Sequence, residues 1–306
     1  MMKVFIDGQV GTTGLQLEER LKKRQDITLL EIDQSLRKDA TTKQTLMDEA
    51  DIVFLCLPDD SARESAKMAK DSTIVIDAST AHRTTSGWAY GLPELSTSHR
   101  KAIATGKRIS VPGCHACGFN AMIYPLVAGG YLPKDAKVNC TSLTGYSGGG
   151  KSLIKTYETN RTRVDKLQSP RPYALGLTHK HLPEMVAVSG LENAPHFYPV
   201  VGDMSQGMLV TVHLWADQFT KPTNVKEVLQ EQYQNASFVR VIEPDTEGGF
   251  VDPTACNGTN MMELTVFGHD KQIIIAARLD NLGKGASGAA VQCMNIACGL
   301  DERMGL

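Results

Sequence analysis

Lys3-Val4-Phe5-Ile6-Asp7-Gly8-Gln9-Val10-Gly11-Thr12-Thr13-Gly14 is the stretch that decides the fold. Lys3 to Asp7 is short and apolar and reads as a buried strand. Gly8, Gly11 and Gly14 then lead into a helical pattern that carries Leu15, Leu17 and Leu21. Glycine permits the tight turn and the close approach of backbone to ligand, and the helix start directs unpaired N–H groups at an anion. The spacing differs from the commoner G-x-G-x-x-G, and an ordinary βα turn also needs glycines. Placement between an apolar strand and an amphipathic helix favours a pyrophosphate loop, with Gly8, Gly11, Thr12, Thr13 and Gly14 as candidate cofactor contacts.

Outward from this loop the pattern repeats. Ile27–Ile32, Asp51–Pro58 and Ser72–Asp77 read as further strands, separated by helical segments around 40–50 and 60–70. Continuous apolar strands alternating with helices indicate a parallel sheet covered on both faces. The first domain is therefore α/β, a Rossmann-like doubly wound parallel sheet. After Cys114 the texture changes to longer alternating segments: Lys137–Leu143, Gly207–Trp215, Met261–Val266 and Gln272–Ala277. These predict an α+β domain with a mixed or antiparallel sheet and one helix-lined face. Gly285 to Gly299 reads as a helix of small and apolar residues. The expected division is 1–113 with the C-terminal helix 285–306 as the dinucleotide-binding domain, and 114–284 as the catalytic and substrate domain.

Asp33, about 25 residues past Gly8, suits the ribose hydroxyls of NAD, whereas Ser35, Arg37 and Lys38 suit a 2′-phosphate. Both cofactors stay open on the residues alone.

Composition narrows the class of protein. The 306 residues are 42% hydrophobic and 22% charged, as in ordinary globular chains, and the net charge of −2 supplies no field for nucleic acid. No apolar run approaches the roughly 18 residues of a membrane span. Seven cysteines at scattered positions form no disulfide framework, so a cytoplasmic protein with reduced thiols is expected.

Cys114 stands in Ser110-Val111-Pro112-Gly113-Cys114-His115, behind a tight Pro-Gly turn where backbone N–H groups can face an oxyanion. A dinucleotide loop upstream of a nucleophilic thiol suggests hydride transfer at a carbon held as a thioester. The segment His179-Lys180-His181-Leu182-Pro183-Glu184 offers an imidazole to activate that thiol and to donate a proton later. A Cys₂His₂ zinc site from Cys114, Cys117, His179 and His181 competes with this, although a His spacing of one is not the usual zinc spacing.

Gly145-Tyr146-Ser147-Gly148-Gly149-Gly150-Lys151-Ser152 satisfies G-x-x-x-x-G-K-[ST], so a nucleotide-dependent phosphotransferase is a further alternative, with Asp59 or Asp280 as partner carboxylate. Against it, the preceding segment Val138–Leu143 is polar for the centre of a parallel sheet. A glycine nest with a lysine also binds a substrate phosphate, which makes Ser147, Gly148, Gly149 and Lys151 candidate substrate contacts.

Seven blocks in order carry a resemblance. They are Gly8–Gly14, Asp77-Ala78-Ser79-Thr80-Ala81-His82-Arg83, Tyr90-Gly91-Leu92-Pro93-Glu94-Leu95, Val111–Cys114, Ser147–Lys151, His179–Glu184 and Asn281–Ala290. Across nearly its whole length the chain resembles the N-acetyl-gamma-glutamyl-phosphate reductases of the shorter type, in the semialdehyde dehydrogenase group. The resemblance implies NADP(H) as cofactor and an acyl phosphate as small-molecule substrate, in arginine biosynthesis. It implies Cys114 as nucleophile and a catalytic histidine in the His-Lys-His segment, with His181 favoured over His179. It also implies a substrate-side loop at Ser147–Lys151 and nicotinamide-side residues Asn281, Gly283, Lys284 and Gly285. A homo-oligomer, dimer or tetramer, is expected, with no nucleic-acid or membrane partner and no metal. The close alternative is aspartate-semialdehyde dehydrogenase, the same chemistry on a shorter substrate. The chain departs from many members at Val111, usually Asn, at His115, usually an aromatic, and at Cys117, often Thr. Arg83, Arg161 and Arg163 are unranked candidates for a carboxylate clamp.

Overall fold

Short runs of Ile, Val, Phe and Leu build the first sheet, and their alternation explains its two cores. The computed structural model describes residues 1–159 and 167–306. It separates into two units, Met1–Pro112 with Ala286–Leu306, and Gly113–Gly285.

In the first unit, β1 (Met2–Asp7), β2 (Ile27–Leu30), β3 (Ile52–Leu55), β4 (Ile74–Asp77), β5 (Ala89–Tyr90) and β6 (Arg108–Ser110) form a six-stranded parallel sheet in the order β2-β1-β3-β4-β6-β5. Successive side chains of a strand point to opposite faces. Val4, Ile6, Ile52, Phe54, Ile74 and Ile76 accordingly enter one core with Leu17 and Leu21 of helix α1 (Thr12–Lys22) and with the C-terminal helix Gly288–Ala297. Phe5, Val53, Leu55 and Val75 enter the other, under α2 (Ala40–Glu49) and α3 (Asp59–Met68). Both faces are covered, as continuous apolar strands require. A further helix, α4 (Thr97–Thr105), precedes β6. The strands are shorter than their apolar runs. β3 stops at Leu55 because Pro58 caps the next helix, and β4 starts at Ile74 because the Thr73 N–H turns back to the Lys70 carbonyl.

The second unit opens with a helix where the sequence pattern suggested none. α5 (Cys114–Ala128) is buried almost all round. A helix hydrophobic on every side shows no 3.6-residue period to read. It lies on a seven-stranded mixed sheet built from β7 (Asn139–Gly145), β8 (Arg171–Pro172), β9 (His196–Gly202), β10 (Met208–Trp215), β11 (Val239–Val241), β12 (Met262–His269) and β13 (Gln272–Leu279). The order is β11-β12-β13-β10-β7-β9-β8, with β10 antiparallel to both neighbours and β7 parallel to β9. Met208, Val210, Val212 and Leu214 of β10 are buried, while Leu209, Thr211, His213 and Trp215 between them are half-buried or exposed. Among the described residues three more helices of the unit are α6 (Gly150–Thr159), α7 (Leu182–Ser189) and α8 (Val225–Tyr233), the last tied to α5 by a hydrogen bond from the Tyr233 hydroxyl to the Ala121 carbonyl, 2.7 Å. The expected C-terminal helix is preceded by a π-helical turn over Gly283–Ser287.

Candidate active site

Cys114 is the first residue of α5, with Gly113 at the N-cap and no side chain capping the end. The Pro-Gly turn therefore delivers the thiol to a helix N-terminus, where unpaired N–H groups and the helix dipole favour negative charge. The turn is fixed from outside: buried Glu184, near the start of α7, accepts the Gly113 N–H at 2.8 Å. Gly285 lies directly against the cysteine, where an added Cβ would stand 2.7 Å from the Cys114 Cβ. Space beside the thiol depends on that missing side chain.

The His-Lys-His segment forms a turn, with His181 at the N-cap of α7. A sulfur or ring-nitrogen atom from each of Cys114, His115 and His181 lies within 4.8 Å of the other two. His181 is buried, whereas His179 is half-buried and its Nδ1 accepts the His181 backbone N–H at 3.1 Å. The geometry thus sets His181 beside the sulfur and uses His179 to shape the turn. His115 is buried, with Nδ1 2.7 Å from the Ser142 hydroxyl and Nε2 2.8 Å from the Tyr173 hydroxyl. Burial, reinforced by His179 and Lys180, lowers its pKa to about 3, so it is neutral at physiological pH. The Cys₂His₂ arrangement is not formed, because the Cys117 sulfur donates to the Lys284 carbonyl at 3.6 Å instead. Cys114, His115 and His181 remain a three-donor set, but both ring nitrogens of His115 are already engaged.

The glycine loop of the first unit runs from β1 into α1. Gly8 has φ +91°, and a Cβ there would sit 2.3 Å from the Cys56 carbonyl oxygen, so only glycine fits. Gly11 is the helix N-cap, without a capping side chain, and donates its N–H to the Gly8 carbonyl at 2.9 Å; Thr12, Thr13 and buried Gly14 form the first turn. The Thr12 hydroxyl oxygen is buried with no hydrogen-bond partner. An uncapped helix start beside an orphaned hydroxyl fits a bound pyrophosphate, which satisfies both. Asp33, Ser35, Arg37 and Lys38 are exposed after β2, and the Ser35 N–H and hydroxyl both bond to the Asp33 carboxylate, at 2.8 and 2.5 Å, and hold its pKa low.

The G-x-x-x-x-G-K-S stretch is not a nucleotide P-loop. The N–H groups of Gly145, Tyr146 and Ser147 donate to the Gly207, Met204 and Ser205 carbonyls, and that of Gly150 to the Ser147 carbonyl, so they cannot cradle a polyphosphate. The strand before it also lies in a mixed sheet. Gly148, Gly149 and Lys151 are exposed at the start of α6, while Ser147 is buried and accepts from the Asn281 side chain at 2.9 Å. Asn281 also accepts the Gly207 N–H, which stitches this loop to the segment that continues through Gly283 and wholly buried Lys284 to Gly285. All four belong to the unit that holds Cys114. Arg83 donates to the Val111 and Ala78 carbonyls within the first unit. Arg161 and Arg163 lie outside the described residues.

Glu184, Tyr173 and Ser142 carried no role on sequence grounds. A carboxylate one helical turn past His181 was the available signal for Glu184. Ser142 and Tyr173 gave none, since their hydrogen bonds to His115 span 27 and 58 residues.

The chain is similar to known proteins over nearly its whole length. The family described as semialdehyde dehydrogenase, NAD binding domain, matches residues 3–103, and semialdehyde dehydrogenase, dimerisation domain, matches residues 114–281. The chain is 46% identical over 318 residues to N-acetyl-gamma-glutamyl-phosphate reductase 2 of Nostoc sp., covering 99% of each chain. It is 45% identical to N-acetyl-gamma-glutamyl-phosphate reductase of Chelativorans sp., covering 96% of this chain and 97% of the relative. Among solved structures, aspartate semialdehyde dehydrogenase II of Vibrio cholerae superposes with a TM-score of 0.75 at 15% identity over 98% of both chains. Aspartate semialdehyde dehydrogenase of Candida albicans, solved with NADP, gives 0.65 at 15% identity over 97% of this chain and 98% of that one. The chain belongs to the semialdehyde dehydrogenase family, on the branch of the N-acetyl-gamma-glutamyl-phosphate reductases.

Proposed function

We propose that the protein reduces N-acetyl-γ-glutamyl phosphate to N-acetylglutamate semialdehyde with NADPH, a step of arginine biosynthesis. The observation that carries it is Cys114 at an uncapped helix N-terminus with His181 beside it. His181 takes the thiol proton, and the sulfur attacks the acyl carbon. The backbone N–H groups at the start of α5 support the oxyanion that forms. Its collapse breaks the carbon–oxygen bond to phosphate, which leaves with the electron pair, and Cys114 keeps the acyl group as a thioester. NADPH, when bound, supplies a hydride to the thioester carbon. The carbon–sulfur bond then breaks toward sulfur, His181 returns the proton, and the semialdehyde departs. Aspartate-semialdehyde dehydrogenase, the close alternative, is the name only of neighbours at 15% identity, whereas the reductase relatives reach 46%.

Gly8, Gly11, Thr12, Thr13 and Gly14 hold the cofactor pyrophosphate. Ser35 and Arg37 hold the 2′-phosphate, a choice over NAD for which the exposed Arg37 after β2 supplies the positive charge. Asn281, Gly283, Lys284 and Gly285 serve the nicotinamide side, and Ser147, Gly148, Gly149 and Lys151 the substrate side. The enzyme works in the cytoplasm, where its seven free cysteines stay reduced. Among the described residues no helix is long and apolar enough to cross a membrane. It acts as a homodimer joined through the face of the seven-stranded sheet that carries Tyr198, Trp215 and Ile274, which are 45%, 45% and 39% exposed.

The reaction is followed in reverse, with N-acetylglutamate semialdehyde, phosphate and either NADP⁺ or NAD⁺. Phosphate-dependent reduction of NADP⁺, lost in Cys114→Ser while the variant still binds NADP⁺, is expected. A folded protein inactive with both cofactors overturns the substrate assignment.

A further inference from the structure

His115 gives the thiol a neighbour that the aromatic usual at this position does not supply: a second imidazole. Among the described residues, one ligating atom from each of Cys114, His115 and His181 lies within 4.8 Å of the other two, and all three residues belong to one unit. Tetrahedral zinc holds sulfur at about 2.3 Å and imidazole nitrogen at about 2.0–2.1 Å, which sets its donors roughly 3.3–3.6 Å apart. Closing the present triangle to that size moves each donor by about 1 Å or less. The set is one sulfur and two nitrogens with no carboxylate, a combination that favours zinc over magnesium or calcium. Cys114 starts a helix whose N-terminus has no capping side chain, and that end favours the thiolate form that zinc binds. Both ring nitrogens of His115 meet hydroxyls, Ser142 at 2.7 Å and Tyr173 at 2.8 Å. A metal replaces one of these neutral hydrogen bonds. The other nitrogen keeps its hydroxyl, as the second nitrogen of a metal-bearing histidine does.

We propose that Cys114, His115 and His181 form an inhibitory zinc site, with water in the fourth position. Zinc and turnover exclude each other there, because the metal takes both the sulfur that attacks and the imidazole that carries its proton. The Cys114–His181 pair holds one proton whichever atom bears it, so each zinc bound releases one proton to solvent. The inference goes beyond the reduction proposed above, and only the effect of zinc on turnover rests on that reading. The site depends on His115, since an aromatic in its place leaves two protein donors.

Zinc binding to the intact protein is measured by calorimetry without substrate, in two buffers of different ionisation enthalpy. The proteins compared are wild type, Cys114→Ser, His115→Phe and His115→Gln. Wild type is expected to bind one zinc per chain with release of one proton. Cobalt(II) in place of zinc reports the ligands by absorption. A sulfur-to-cobalt charge-transfer band is expected in wild type and is lost in Cys114→Ser. Both His115 variants are expected to bind zinc at least about a hundredfold more weakly, since losing a group that merely orients a ligand already costs 10–100-fold. Zinc should also block iodoacetamide alkylation of Cys114, and a chelator should restore it. In the reverse assay, inhibition is read against the zinc-free activity of the same protein, and it should weaken in the His115 variants in step with affinity. A wild type that binds no zinc overturns the proposal, as does a cobalt complex without the charge-transfer band. Folded His115→Phe and His115→Gln with wild-type zinc affinity overturn it too, because the metal would then lie elsewhere. Wild type inactive toward the semialdehyde, with zinc bound through Cys114 and His115, overturns the substrate assignment and leaves the metal site standing.

Discussion

His115 is the residue where burial and chemistry meet most plainly. Its folded pKa is lowered to about 3 from an ordinary value of 6.5. Between those values the unfolded chain binds a proton that the native chain refuses, so stability rises with pH across this window and is lost as pH falls below about 6.5. One proton corresponds to about 1.4 kcal/mol per pH unit at most. Urea unfolding at pH 7, 6, 5 and 4.5 is expected to show wild type losing stability relative to His115→Phe by up to that slope. Parallel losses would mean that residue 115 is protonated in the folded state. The sequence announced Cys114 and the two histidines of His-Lys-His because motif spacing carries them. It announced His115 only as a departure, because a residue one step past Cys114 on a buried helix has no periodicity to betray its partners. Glu184 illustrates the same limit: its hydrogen bond to Gly113 crosses 71 residues, and local pattern cannot register it.

At the scale of the element, the β1-to-α1 turn is tightly constrained by sterics. Gly8 combines φ +91° with a neighbouring carbonyl 2.3 Å from where a Cβ would stand. Gly8→Ala is expected to move the turn away from Cys56 and to raise the Kd for NADPH at least tenfold by fluorescence titration. Alkylation of Cys114, which lies in the other unit, should keep its pH midpoint. An unchanged Kd would remove this loop from the cofactor site. Such a turn was legible because glycine spacing and the strand before it point the same way. Helix α5 was illegible for the opposite reason. Its buried face includes Ala116, Cys117, Gly118, Phe119, Asn120, Ala121 and Met122 in unbroken succession, so the amphipathic signal vanishes where packing is most complete. Strands β5 and β6, of two and three residues, are too short for any alternation to show.

At the scale of the whole molecule, the homodimer proposed above rests on the open face of the second sheet. Strand register places Thr141 between Tyr198 and Thr211, and Thr211 beside Ala276; a neighbouring row carries His213 and exposed Ile274. Trp215 and Ile274, diagonal neighbours on the β10–β13 pair, and Tyr198 beyond a row of threonines put exposed apolar side chains on one face of a regular sheet, as an association site requires. A stable interface buries about 1,600 Å² in total, roughly 800 Å² from each copy, which a seven-stranded sheet can supply. A two-fold pairing presents the same patch from both copies, so one charge introduced per chain appears twice in the interface. Sedimentation is therefore expected to give twice the monomer mass for the wild type and the monomer mass for Trp215→Glu with Ile274→Glu. Wild-type Tm should rise with protein concentration, because a partner that binds only the native state stabilises it by mass action, and that dependence should vanish in the double variant. Ile274 and Trp215 are 39% and 45% exposed, so near-ultraviolet circular dichroism of the double variant should still report a folded chain. A double variant that sediments as a dimer would move the interface to another face. A wild type that sediments as a monomer at every concentration would remove the pairing altogether.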